Sequence, residues 1–127
     1  MKNFVLLAFL VGLVLAARYG WQQFSAKQSE SVVRNRVEGM LRAASSGDEQ
    51  TATCQWAEGK TFLSSDELAR HVDAYAEFAR AVGLGKDTSW TVDALELASS
   101  PPVAAVTING RKHRLAVPET GRIVLKD

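Results

Sequence analysis

His113 is the side chain with the most available chemistry, because an imidazole exchanges protons near neutral pH and can serve a pocket as general acid or base. That work needs a nucleophile or a carboxylate brought to it, and no local motif of the chain supplies one. His71 stands one helical turn beyond Glu67 and reads as half of a surface pair. The two histidines share neither a His-x-His nor a His-Glu-x-x-His spacing, so no metal is expected. Cys54 is the single cysteine, which excludes an intramolecular disulfide, a multi-thiolate zinc site and a Cys-x-x-Cys redox pair; it reads as a small buried hydrophobe. Gly59-Lys60-Thr61 has the ending of a phosphate-binding loop, but Cys54 stands where such a loop needs its first glycine. Tyr75 falls within a helical core stripe, with Asp73 and Glu77 on the outward side. No catalytic set and no cofactor are therefore expected. If helices and sheet enclose a cavity, His113, Trp90 and Tyr75 are the residues expected at it, with Trp56 and Trp90 as core or interface anchors.

Charge narrows the partners. Lys and Arg number 15 against 14 Asp and Glu, a formal net charge of +1, so nothing points to a nucleic acid. The basic run Arg111-Lys112-His113-Arg114 lies on an expected strand, which sends alternate members to opposite faces and prevents one dense patch. Charge is nonetheless polarised along the chain, with a net −6 over residues 48–99 and a net +3 over residues 100–127. A length of 127 residues suits one compact domain with a single core.

The run from Asn3 to Ala17 carries no charge and is bracketed by Lys2 and Arg18. As a helix it spans roughly 22 Å, and with Arg18 snorkelling and Tyr19 and Trp21 at the headgroup level the span from Asn3 to Trp21 reaches about 28 Å. Two readings follow: a retained transmembrane signal-anchor over residues 1–24, or a signal peptide cut near Ala17. Ala8, Gly12 and Ala16 recur every four residues and stack on one helix face, which suits close approach of another membrane helix. Together with the aromatic group after Arg18, that face favours the anchor. Either reading sends the remaining chain across the membrane and leaves the amino terminus in the cytoplasm. The expected organisation is an anchor over 1–24, a tether over 25–30 and an exported, periplasmic α+β domain over 31–127.

Within that domain, Val33, Val37, Met40, Leu41 and Ala44 fall at helical spacing, and Ser45-Ser46-Gly47 ends the helix. Asp48 caps a short second helix that Gly59 breaks. Ser64 with Glu67 forms a capping box, and Leu63 with Leu68 occupies the positions of a hydrophobic staple. The long helix behind them has an expected core stripe of Leu68, Val72, Tyr75, Ala79 and Val82, with Ala76 between, and stops at Gly83-Leu84. Strands follow over Thr88–Leu97 with a bulge near Ala94, Val103–Ile108, Arg111–Val117 and Arg122–Lys126. Asn109-Gly110 predicts a two-residue hairpin in which Ile108 faces Arg111, Val106 faces His113 and Ala104 faces Leu115.

This order, and the stretch Met40-Leu41-Arg42-Ala43-Ala44-Ser45-Ser46-Gly47-Asp48 running on to Trp56-Ala57-Glu58-Gly59, resembles the nuclear transport factor 2-like superfamily, which includes ketosteroid-isomerase-like, cystatin-like α+β domains. The resemblance covers roughly residues 29 to 126 and implies a cone-shaped fold, with a curved antiparallel sheet wrapping the long helix and a pocket at its wide end. It also implies a possible role, since the superfamily includes bitopic assembly subunits with one membrane helix and an exported domain. The expected function is a non-enzymatic, membrane-anchored extracytoplasmic interaction or assembly module, partnered by the bilayer and by another protein or a second copy. The alternative is a secreted or periplasmic domain that binds, or turns over, a small apolar ligand near His113.

Overall fold

The computed structural model describes residues 30–126, and residues 32–127 form one compact unit. The expected anchor, its Ala8/Gly12/Ala16 face, the interfacial Arg18, Tyr19 and Trp21 and the tether up to residue 29 lie outside the described residues. Among the described residues no helix is long and apolar enough to cross a membrane. The fold is α+β, three helices packed on a four-stranded antiparallel sheet of order β1-β2-β3-β4. The helices are α1 over residues 30–45, α2 over Glu49–Glu58 and α3 over Ser65–Val82. The strands are β1 (Trp90–Glu96), β2 (Val103–Ile108), β3 (Arg111–Ala116) and β4 (Val124–Leu125).

Local chemistry accounts for the element ends. The Asp48 carboxylate accepts from the Thr51 amide at 3.2 Å and opens α2, and Gly59, at φ +67°, closes it in the left-handed region. The Ser64 hydroxyl accepts from the Glu67 amide at 3.3 Å at the start of α3. Asp66 and Glu67 in the first turn and Arg80 in the last oppose the helix dipole with the favourable sign. Asn109 (φ +51°) and Gly110 (φ +80°) make the turn between β2 and β3, and the Asn109 side-chain Nδ2 donates to Gly83 O at 3.1 Å, which ties the hairpin to the end of α3. In the ladder, Val106 pairs with His113, Ala104 with Leu115 and Ile108 with Arg111.

The β1–β2 register shifts between Val92 and Ala94, leaving Asp93 as the extra residue of a bulge. Its carboxylate accepts from the Thr107 and Thr91 hydroxyls, and those bonds, Thr107's foremost, hold Asp93 below the usual carboxylate range. The final strand is shorter than the expected Arg122–Lys126, because Ile123 leaves the ladder and donates its amide to Trp56 O at 2.9 Å.

The core lies between the helices and one face of the sheet, with Val37, Met40, Leu41, Val106, Ile108, Leu115 and Ile123 almost fully enclosed. On α3 the buried set is Tyr75, Phe78, Ala79 and Val82, which corrects the expected stripe. Phe78 turns inward because the Trp56 ring lies 5.7 Å from it. Val72 is 46% exposed, and Leu68 and Ala76 likewise stand outside the core. The inward face of the helix is thus rotated towards Phe78, and Leu68, Val72 and Ala76 border a cavity instead.

Candidate functional site

A cavity of about 430 Å³ lies between α2 and α3, and Ala44 of α1 and Leu84 and Gly85 after α3 complete its lining. Leu68, Val72, Ala76 and Ala79 form its apolar wall on α3, and Glu49, Gln50 and Thr53 face it from α2. Arg80 stands at the rim on the last turn of α3. No sheet residue lines it.

Tyr75 also lines the cavity. Its side chain is only 5% exposed, and its ring meets Trp56 edge-on, centroids 5.9 Å apart. Burial, and after it the negative charge of Glu49, pushes the phenol up to about 12. Burial and charge, not a hydrogen bond, cause that shift. The neighbouring Thr53 hydroxyl is occupied as a donor, to Glu49 O at 2.7 Å.

Of the three residues expected at a pocket, the structure brings only Tyr75 to this cavity. Trp90 is half-buried against the core and donates its indole N–H to Ser45 Oγ at 3.3 Å. His113 is half-buried on β3 opposite Val106. His71 does not pair with Glu67; its Nδ1 accepts from Arg122 Nε at 3.1 Å. The same Arg122 guanidinium lies 5.3 Å from the Trp56 ring centroid and donates to Arg70 O at 3.2 Å. Cys54 is buried, and that burial pushes its thiol up, away from the reactive thiolate. Among the described residues no group of His, Cys, Asp and Glu could hold a metal ion.

The residue that the sequence reading passed over is Arg36, which is 5% exposed. Its guanidinium donates to Gln55 O at 2.7 Å and Trp56 O at 2.9 Å at the end of α2, and to Pro118 O at 2.7 Å and Gly121 O in the turn before β4. Desolvation lowers its pKa, and four carbonyl dipoles stand where a carboxylate would. A signal was present. Arg36 is three residues after Val33 and four before Met40, which places it on the apolar face of α1.

No protein-family model, curated protein or solved structure matches the chain.

Proposed function

We propose that this chain is a non-enzymatic, single-pass membrane protein whose extracytoplasmic domain is an interaction or assembly module, serving a membrane complex or a homo-oligomer. The observation that carries the reading is the uncharged run Asn3–Ala17 between Lys2 and Arg18, with a compact α+β unit starting at residue 32. The order of three helices followed by an antiparallel sheet supports a nuclear transport factor 2-like, ketosteroid-isomerase-like domain with a curved, cone-forming sheet. In this reading the amino terminus is cytoplasmic, the domain is periplasmic, and the Ala8/Gly12/Ala16 face packs against a partner helix. A reporter fused to the carboxyl terminus tests it: activity on the extracytoplasmic side is expected, and activity confined to the cytosol overturns it. Gly12→Leu should reduce co-purification of partners or dimers from native membranes. A mature protein starting at Ala17 or Arg18 would replace the anchor by a cleaved signal.

A second reading, a domain that holds a small apolar ligand, is supported by the cavity between α2 and α3.

A further inference from the structure

We propose that the α2–α3 cavity binds a neutral, mainly apolar small molecule bearing a hydroxyl group, to which Tyr75 donates a hydrogen bond and from which Glu49 accepts one. The proposal rests on the second reading above and is independent of the membrane anchor. Size selects the class of occupant. A volume of about 430 Å³ is that of a small-molecule site, whereas a partner helix, about 10–12 Å across with its side chains, would not enter. The wall built by Leu68, Val72 and Ala76 suits an apolar body.

The polar groups select the functional group. Tyr75 lines the cavity, is 5% exposed and keeps its proton throughout the physiological range. A ligand oxygen that accepts from this hydroxyl gains more beside an apolar wall than it would at the surface, because the surroundings are less polar. Glu49 lines the same cavity close enough for its charge to act on the phenol. A ligand carboxylate would accept from Tyr75 but be repelled by Glu49. An ammonium would be attracted by Glu49 but could accept nothing from Tyr75. A hydroxyl both accepts and donates, and is the small group that satisfies the two together. The site is also separate from the sheet side of the core, where Trp90 and His113 lie, because none of its lining comes from a strand.

Three probes with one rigid apolar body make the test: 1-adamantanol, 1-adamantanecarboxylate and 1-adamantanamine, titrated calorimetrically into the full chain in lipid nanodiscs, with empty nanodiscs subtracted. The alcohol should bind about fivefold or more tighter than either ion, the equivalent of one net hydrogen bond. Tyr75→Phe keeps the ring against Trp56, and should weaken the alcohol about fivefold while leaving the amine unchanged. Ala76→Phe, at an exposed position on the cavity wall, should abolish binding of all three. Should the wild type bind none of them at millimolar concentration, the cavity is not a ligand site and the second reading fails with the proposal. Should an ion bind best, or Tyr75→Phe leave the preference intact, the cavity stands and the hydroxyl assignment is wrong.

Discussion

Replacing Arg36 by methionine keeps most of its volume and removes every donor. Two of the four carbonyls it serves retain another partner, since Gly59 N donates to Gln55 O at 3.0 Å and Ile123 N to Trp56 O at 2.9 Å. The loss therefore falls on Pro118 O and Gly121 O, for which Arg36 is the donor. A hydrogen bond to a charged group contributes about 1.5–3 kcal/mol, so two amount to about 3–6 kcal/mol. Relief of the buried guanidinium's desolvation offsets part of this, and the expected net cost is about 3 kcal/mol. For a domain of this size that is a large share of a total of roughly 5–15 kcal/mol. Urea unfolding of the full chain in detergent, followed by near-ultraviolet circular dichroism, should show the midpoint falling by about 2 M, taking a slope of about 1.5 kcal/mol/M. Hydrogen exchange adds a local readout, because the Ile123 amide should lose protection before the strand amides of β2. Arg36→Lys, which retains the charge but not the planar fork, should fall between wild type and methionine. A loss under about 1 kcal/mol, with Ile123 still protected, would refute the view that Arg36 holds the 118–121 turn against α2.

Tyr75 has a folded-state pKa of about 12 against an ordinary 10, so its contribution to stability is complete below pH 10 and disappears as pH rises through 12. Tyrosinate absorbance should show one late-titrating phenol, which Tyr75→Phe removes, and the stability lost over that window should be about 2–3 kcal/mol. Ser64→Ala removes the acceptor of the Glu67 amide and should lower thermal stability by about 1 kcal/mol, measurable as a fall of several degrees in Tm.

The elements most legible in the sequence are those dictated by neighbours along the chain. Ser64 with Glu67, Gly83 and Asn109-Gly110 each specify a backbone conformation within a few residues, and the structure places a helix start, a helix stop and a hairpin there. The bulge was also legible, because alternation fails at Ala94-Leu95, next to the extra residue Asp93. What periodicity does not contain is the direction from which neighbours arrive. Val72 and Phe78 are both apolar and at compatible spacing on α3, and Trp56, from a different helix, decides that Phe78 is the one enclosed. The cavity follows from that choice, so Tyr75 could be nominated from its residue type and position, but its companions Glu49 and Arg80 could not. His71 was read with its sequence neighbour Glu67 for the same reason, while its partner Arg122 comes from a turn more than fifty positions away.

The turn held by Arg36 has a bearing on when the domain can be completed. Pro118 and Gly121 are separated from Arg36 by 82 and 85 positions, and Ile123, which closes onto Trp56, follows them. Helix α1 thus carries a buried cation two of whose four acceptors emerge more than eighty residues after it. Until residues 118–121 arrive, two of the guanidinium's four acceptors are missing, so this long-range contact consolidates after the local helices.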